Sequence, residues 1–314
     1  NMINMLLYQN GATDDLTVAG IDSIVFRPAD DIEANAILIE YNNDIATVRH
    51  NITSEYFNVN VNGADVEIIS EASIEGLQYY LSGTTTNGSF SLESDMPYEV
   101  ILNNTEITSL TNVPLNLSKN VERNIIIANG TTNILSDSED SDGKAVINSK
   151  GATNISGFGS LTINANKKHG ISSDNDINID GATISINHSA DASKGLKSDC
   201  NIMITDGDVN IVSSGTLTLE ALDLGYDATY CTSIGADGNF EMRGGKLNIT
   251  LPVSNEAGRG IKTDGDISIS GGEINIVSHS GGDTYTNSDG EIDSYKSSCI
   301  KADGDIHLSS GVIT

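Results

Sequence analysis

Two stretches of this 314-residue chain gather aspartate and tyrosine, residue types that suit the binding of cations and of flat apolar rings. Residues 222–233 read LDLGYDATYCTS, and residues 282–299 read GDTYTNSDGEIDSYKSSC. Four of the ten tyrosines fall there, namely Tyr226, Tyr230, Tyr285 and Tyr295. Exposed tyrosine rings offer apolar faces to sugar rings, so we expect these four to contact carbohydrate. The alternative is that the rings pack both stretches onto the body of the protein.

The same stretches concentrate carboxylates, the ligands that Ca²⁺ prefers in groups of about six to eight oxygens. We expect one or more calcium sites built from these stretches and from aspartates of neighbouring segments. The candidate ligands are Asp191, Asp223, Asp227, Asp237, Asp264, Asp283, Asp289 and Asp293. A cation that binds only the folded chain would also stabilise it. The alternative is that these aspartates cap turns.

A column of charged residues recurs in the C-terminal half. Equivalent places are held by Asp174, Asp199, Asp237, Asp264 and Asp303, with Lys197, Lys262 and Lys301 two positions before three of them. Alternation along a strand puts each lysine and its aspartate on one face. One interpretation is a ladder of turn-capping aspartates offset by ion pairs. The other is a lyase site, where a lysine of lowered pKa abstracts a proton beside a uronate held by calcium.

These residues belong to a repeated line of sequence. Residues 260–276 read GIKTDGDISISGGEINI, with apolar residues at every second position and turn signals at DG and GG. Related lines, 25 to 39 residues apart, start at Ile171, Leu196, Ile234, Ile261 and Ile300. Self-similarity at this period, without helical patterning, predicts a solenoid. We expect an all-β chain wound as a right-handed single-stranded parallel β-helix, with these five anchors stacked in one interior column.

The first part of the chain lacks this repeat. Residues 1–70 show strand-like alternation, for example at residues 21–26. Solenoid ends expose unpaired backbone, so terminal units differ from the rest. We predict irregular β coils and an N-terminal cap over residues 1–70 and the parallel β-helix over residues 71–314. Because the sequence stops inside a unit, we expect the coils to continue past Thr314.

Insertions in the repeat share one place, between the third strand of a unit and the next anchor. The two tyrosine-containing stretches belong to the longest of them. Insertions at one place in a repeat lie on one face of a solenoid, and that face is usually the functional one. Because stacked strands are about 4.8 Å apart, we expect these two insertions, two coils apart, to lie roughly 10 Å from each other. That spacing suits a shallow groove for an extended chain.

The charge of the chain bounds its partners. Forty-four acidic residues against 16 basic ones give a net charge of −28. A field of that sign repels nucleic acid and anionic membranes, so we expect neither as a partner. An anionic ligand would need a bridging cation, which again favours calcium.

Few features of the sequence indicate the cellular compartment of the protein or an attachment to a membrane. No apolar run is long enough to span a bilayer. The first residues lack the basic and apolar regions of a signal peptide, so we expect that any such peptide was removed. Three cysteines, Cys200, Cys231 and Cys299, cannot form a disulfide framework.

The sequence resembles a known family over roughly residues 65–314. The resemblance is carried by YLSG at residues 80–83, by VILNNTEI at residues 100–107 and by the GIKxDGDIxIxGGxIxI units. These look like the bacterial carbohydrate-binding-domain-containing β-helix family. The resemblance implies a secreted protein with the fold of calcium-dependent pectate lyases that binds cellulose and pectin. Family coils often read DGIK, whereas the glycine follows His169, Lys194 or Arg259 in this chain, which puts one expected calcium ligand per coil in doubt.

Three classes of function therefore remain open. The first, which we expect, is a monomeric polysaccharide-binding protein of the bacterial surface that uses calcium. The second is a pectate-lyase-like enzyme, and the third is a structural adhesin. The sequence contains no GxSxG, HExxH, P-loop or CxxC motif that would point to another enzyme class.

Overall fold

The computed structural model describes residues 4–9, 12–17, 32–71, 73–253 and 256–314. Throughout these ranges the regular elements are β-strands, and no helix occurs there that could cross a membrane. The described part is thus all-β, as the alternating apolar pattern predicts. The strand expected at residues 21–26 lies outside the described residues.

The strands are short and follow one another closely. The first are β1 Asn4–Gln9, β2 Ala12–Thr17, β3 Ala36–Asn42, β4 Ile45–His50, β5 Phe57–Asn62, β6 Asp65–Ser70, β7 Leu77–Thr85, β8 Ser89–Ser94 and β9 Tyr98–Ser109. They are followed by β10 Leu115–Ser118, β11 Arg123–Ile127, β12 Thr132–Asp137, β13 Ala145–Ser149, β14 Thr153–Gly157, β15 Ser160–Ala165, β16 His169–Ser173, β17 Ile177–Asp180, β18 Thr183–His188, β19 Lys194–Ser198, β20 Ile202–Ile204 and β21 Asp208–Ser213. The last are β22 Thr218–Ala221, β23 Tyr226–Thr229, β24 Thr232–Ala236, β25 Phe240–Met242, β26 Lys246–Leu251, β27 Arg259–Thr263, β28 Ile267–Ile269, β29 Glu273–Ser278, β30 Gly282–Thr286, β31 Ile292–Lys296, β32 Ser298–Ala302, β33 Ile306–Leu308 and β34 Val312–Ile313.

The chain divides into two compact units, Asn1–Glu33 and Ala34–Thr314. In the first unit, β1 and β2 pair antiparallel. In the second, β4 and β5 run antiparallel to β3 and β6, which in turn pair parallel with β7 and β8. The antiparallel strands therefore lie at the edges of parallel ladders. The boundary between cap and coils at residue 70 stays a prediction.

Parallel pairing between successive repeats builds three ladders. The first is a ten-stranded sheet, called the floor sheet below, that contains β5, β6, β8, β10, β13, β16, β19, β24, β27 and β32. The second ladder runs through β3, β7, β9, β11, β14, β17, β20, β25, β28 and β33, and the third through β9, β12, β15, β18, β21, β26, β29 and β34. The long strand β9 belongs to both of these. Each later repeat contributes one strand to each ladder, an arrangement consistent with a β-solenoid.

The core is a column of apolar side chains stacked from strand to strand. In the floor sheet, Ile171 pairs in register with Leu196, Leu196 with Ile234, and Ile234 with Ile261. Ile261 pairs in turn with Ile300, so the predicted register of the five anchors is confirmed. The first four are fully buried and Ile300 packs against the core as a partly buried residue.

The turn chemistry of the repeat is also as predicted. Gly272, the second glycine of the GG signal, has a φ of 82°, which L-residues rarely adopt. A Cβ atom added there would lie 2.8 Å from the backbone oxygen of Gly244 in the preceding coil. Glycine is thus required both by the turn and by the close stacking of coils.

Candidate functional site

The outer face of the floor sheet presents one polar side chain from each coil except the coil of Gly235. The residues that follow the core position pair in register along the sheet. In order they are Glu67, Ser91, Asn116, Asn148, Ser172, Lys197, Gly235, Lys262 and Lys301. Since every second residue of a strand points outward, the alternation that fills the core also builds this face. Its character changes from amide and hydroxyl groups to lysine along the sheet.

Three cavities follow one another over this face. The first, about 460 Å³, is lined by residues of β5, β6, β8 and β10 and by Asp142 and Gly143. The second, about 660 Å³, shares Asp142 and Gly143 and extends over β13, β16 and β19. The third, about 220 Å³, covers β19, β24 and β27. Together they cross nine strands, which corresponds to about 40 Å at the usual strand spacing. A shallow groove of that length suits an extended polymer.

The two long insertions form antiparallel hairpins beside the third cavity. Hairpin 1 consists of β22 and β23, and hairpin 2 of β30 and β31. A backbone bridge joins Tyr226 to Asn287, so the expected gap of roughly 10 Å between the insertions is wrong. Strand stacking fixes only where the hairpins start. Their free edges can then pair, which satisfies backbone groups that would otherwise stay open.

Hairpin 2 carries two of the predicted tyrosines on one face. Tyr285 lies opposite Asp293, and Asp283 lies opposite Tyr295, so all four side chains share that face. The two tyrosine rings are 6.0 Å apart between centroids. Partial desolvation, followed by the Asp293 carboxylate, raises the pKa of the Tyr285 hydroxyl. The face is therefore a pair of neutral aromatic rings flanked by acceptors.

Hairpin 1 places Tyr230 at the wall of the third cavity. The guanidinium carbon of Arg259 lies 3.3 Å from the centre of the Tyr230 ring, a cation–π contact that fixes both side chains. Residues 228–230 line the cavity together with Lys194, Lys262 and Asp237 on the floor. Tyr226, by contrast, is exposed where the two hairpins meet. The predicted tyrosines thus surround one end of the groove without forming a single platform.

The eight predicted calcium ligands are exposed and dispersed. Asp283 and Asp293 accept hydrogen bonds from the N–H groups of Thr284 and Ser294, each at 2.7 Å. Asp191 accepts from the N–H of Thr216 at 2.9 Å. Asp223, Asp227 and Asp289 belong to hairpin residues, whereas Asp237 and Asp264 line the third cavity. Several of these groups thus satisfy local turns.

The described aspartates do not fit a calcium site. Within the described ranges, no three His, Cys, Asp or Glu side chains converge in a way that could hold a metal ion. Calcium takes about six to eight oxygens, which isolated carboxylates and pairs do not supply.

The lysines of the charged column are held in ion pairs. Lys197 contacts Asp199, and Lys262 contacts both Asp264 and Asp303. Lys301 lies 3.9 Å from Asp303. These contacts agree with the interpretation of the column as a ladder of ion pairs.

Several basic side chains that line the groove are not among the residues predicted from the sequence. Lys144, Lys167 and Lys168 line the second cavity, and Lys194 lines the third. A signal was present, because six of the eleven lysines fall between residues 144 and 197 of a strongly acidic chain. The net charge of the whole chain concealed this local excess.

Comparisons with known proteins agree with the fold and the resemblance. The chain is 29% identical over 141 residues to a carbohydrate-binding domain-containing protein of Acetivibrio thermocellus, and the match covers 41% of this chain and 49% of that relative. The chain thus spans about half the length of the curated relative that it matches. A solved structure, described as a polysaccharide lyase-like protein from C. thermocellum in a gadolinium derivative, superposes with a TM-score of 0.58 at 17% identity, covering 89% of this chain and 97% of that one.

A family model matches a longer part of the chain than the curated relative does. Residues 62–314 match the family described as carbohydrate-binding domain-containing protein, which is most of the chain and nearly the span over which the sequence shows its resemblance. That resemblance is confirmed. The chain belongs to the carbohydrate-binding domain-containing protein family.

Proposed function

We propose that this protein binds an extended polysaccharide along the outer face of the floor sheet, without cleaving it. The observation that carries the proposal is a row of three cavities over nine neighbouring strands of one sheet, in which the first two share lining residues and the third adjoins the second at β19. A small ligand would be enclosed in one pocket, whereas this groove is long and shallow. Family membership supports carbohydrate as the ligand class.

The aromatic end of the groove gives the proposed sugar its strongest contacts. The guanidinium of Arg259 lies over the ring of Tyr230, and Tyr285 and Tyr295 share a face of hairpin 2. Each ring contributes on the order of 0.5–1.5 kcal/mol when it packs against another flat surface. Asparagines and aspartates of the first cavity would accept and donate hydrogen bonds to hydroxyl groups.

Plant cell-wall polysaccharide, cellulose or pectin, is the ligand that we propose for this groove. A cell-wall ligand lies outside cells, so we also propose a secreted monomer at the bacterial surface. The three ladders and the solved structure of similar fold support winding as a right-handed single-stranded parallel β-helix of the pectate-lyase type.

Because the described aspartates do not form an oxygen cage, the proposed binding has no calcium-mediated step. Calcium stays a prediction from the sequence, and thermal melts with calcium and with chelator test it.

Removing the four tyrosines tests the proposed function. We expect the Tyr226→Ala, Tyr230→Ala, Tyr285→Ala and Tyr295→Ala quadruple variant to lose at least about tenfold in retention on insoluble cellulose, since several stacking contacts disappear. The hairpins lie outside the core, so its melting temperature should stay close to that of the parent. Pull-down of protein from solution at several cellulose concentrations measures the effect.

A matched control is Tyr56→Ala, which removes a tyrosine that is 55% exposed on a connection outside the groove. It should bind cellulose as the parent does. If the quadruple variant and this control are retained equally, the tyrosines do not form the binding site.

A lyase remains the second candidate because of Lys194. This lysine lines the third cavity, and burial lowers its pKa, an effect that the Asp237 carboxylate opposes. A lysine of lowered pKa can act as a general base. Incubation with polygalacturonate and measurement of the absorbance of unsaturated products separates the two functions, because only an enzyme forms such products continuously.

A further inference from the structure

The basic side chains of this acidic protein are concentrated in two cavities. Five lysines line the second cavity, namely Lys144, Lys150, Lys167, Lys168 and Lys197. Lys194, Arg259 and Lys262 line the third. Seven of the eleven lysines in the sequence therefore border the same stretch of the floor sheet. In a chain of net charge −28, such a local excess of cations is a site of opposite sign to its surroundings.

The acidic residues in these cavities do not neutralise all of the lysines. The second cavity also contains Asp142, Asp174 and Asp199, and the third contains Asp237 and Asp264. Of these, Asp174 pairs with Lys150 at 2.6 Å, and Asp199 and Asp264 pair with Lys197 and Lys262. These ion pairs leave other lysines of the two cavities available.

Four lysines of the two cavities form no ion pair with a described carboxylate. Lys167 and Lys168 donate only to backbone oxygens, of Glu139 at 2.9 Å and of Asp191 at 3.4 Å. Lys144 and Lys194 form no ion pair in the part of the chain that the structure describes. Cations that stay outside ion pairs in a chain with 44 acidic residues can contact an anion from outside.

Lys194 marks the centre of this arrangement. In the next coil, the column position between Lys197 and Lys262 is held by Gly235. A Cβ atom added to Gly235 would lie 2.8 Å from Cδ and 3.4 Å from Nζ of Lys194, so the lysine side chain lies across the glycine. The missing side chain thus makes room for a half-buried ammonium group between two other lysines. Desolvation lowers the pKa of that ammonium, and the like charges of Lys197 and Lys262 add to the lowering, whereas the carboxylates of Asp237 and Asp199 oppose it. A bound anion would act in the same direction as these carboxylates.

We propose that the second and third cavities bind acidic saccharide units directly through lysine ammonium groups, with no calcium bridge. The ligand chemistry is a sugar chain that carries carboxylate or sulfate groups. This inference rests on the proposed function, because it assumes that a polysaccharide lies along the floor sheet. In this proposal, lysine ammonium groups of the protein take the role of the bridging calcium ion that the net charge suggested.

Binding to polygalacturonate in excess chelator tests the inference. The variant is Lys168→Gln/Lys194→Gln, and the matched control is Arg243→Gln/Lys246→Gln. The control removes the same charge from the second and third ladders, where Arg243 and Lys246 pair with Glu241 and Glu273. We expect the parent and the control to bind equally in chelator and the groove variant at least about tenfold more weakly. Parent binding should also weaken as salt rises, because the contacts are between exposed charges.

Competition identifies the acidic group. If a sulfated glycan displaces polygalacturonate from the parent, the cavities recognise negative charge in general. If it does not, they recognise carboxylates in particular, and either result agrees with direct lysine binding.

Two results would overturn the inference. One is parent binding that occurs only when calcium is present, and the other is equal binding by the groove variant and the control. Cellulose retention is measured in parallel on all three proteins. If it persists while either result is found, direct lysine binding fails and the proposed function stands. If the parent retains neither cellulose nor polygalacturonate, both fail.

Discussion

Replacement of Arg123 by methionine is expected to destabilise the fold by about 3–5 kcal/mol, because several buried and half-buried oxygens lose the donors of its guanidinium. Arg123 is 1% exposed and has no carboxylate partner in the described chain. Its guanidinium donates to the carbonyl oxygens of Leu117 at 2.7 Å, Lys119 at 2.6 Å and Val121 at 2.5 Å. It also donates to the hydroxyl of Ser149 at 2.8 Å. Methionine fills similar space and satisfies none of these acceptors.

Arg243→Met is the control for this effect. Arg243 is an exposed arginine that pairs with Glu241 at 2.7 Å on the solvent side of β25, and exposed pairs are worth about 0–1 kcal/mol. Urea unfolding of the parent and both variants measures the difference. Equal midpoints for Arg123→Met and Arg243→Met would show that the buried guanidinium does not hold the turn between β10 and β11.

Acidification from pH 7.5 to pH 5.0 is expected to remove about 4 kcal/mol of stability, shared between two buried histidines. His188 is fully buried, with Nδ1 2.6 Å from the hydroxyl of Ser193 and Nε2 2.5 Å from that of Ser213. Nδ1 of His169 accepts the N–H of Lys194 at 2.9 Å. Burial lowers the pKa of both to about 3, and for His169 the charge of Lys168 adds to the lowering.

The direction follows from where each state takes up a proton. Unfolded histidine has a pKa of about 6.5. Between that pH and about pH 3, His169 and His188 are therefore protonated in the unfolded chain and neutral in the folded chain. The stabilising effect is therefore complete above pH 6.5 and is lost as the pH falls toward 3. At pH 5 the contribution of each histidine has fallen by about 2 kcal/mol, and the two together correspond to a fall in melting temperature on the order of 10 °C.

His188→Gln separates this effect from a general sensitivity to acid. The variant is less stable at every pH, since it replaces a ring that bonds at both nitrogens, but its stability should change about half as much between pH 7.5 and 5.0. Carboxylates of ordinary pKa titrate largely below this window. The exception is Asp137, whose pKa is raised by burial; its protonation would stabilise the folded chain and so cannot produce the expected loss. Unchanged parent melting temperatures at the two pH values would refute the assignment.

The register of the later repeats could be predicted because it depends on local pattern. Ile234 and Ile261 stand in the same DG-flanked line, and burial of one strand face leaves no freedom to shift by one residue. The register of the earlier coils was harder to predict. Phe90, Leu115 and Ile147 stack in the same column, but the DG-flanked line of sequence does not surround them. Their turns differ in sequence, although the core position is the same.

The position of a site residue could be predicted only where the sequence of a single coil determines that position. The tyrosines of the two insertions do lie beside the groove, since an insertion starts from a fixed place in the repeat. The contact between Tyr226 and Asn287 depends on how two hairpins meet and is not encoded in either one. Lys194 was missed for a similar reason, because its position depends on a glycine in the next coil, 41 residues further along the chain at Gly235.

Lysine labelling tests most directly whether a polysaccharide lies along the floor sheet. The protein is treated with an amine-reactive reagent, with and without a saturating polysaccharide fragment that it binds, and the modified sites are read by mass spectrometry. We predict that Lys168, Lys194 and Lys197 become several-fold less reactive in the complex, whereas Lys246 on the third ladder reacts as before. Unchanged labelling of the three groove lysines in a saturated complex, with protection elsewhere, would contradict this binding site.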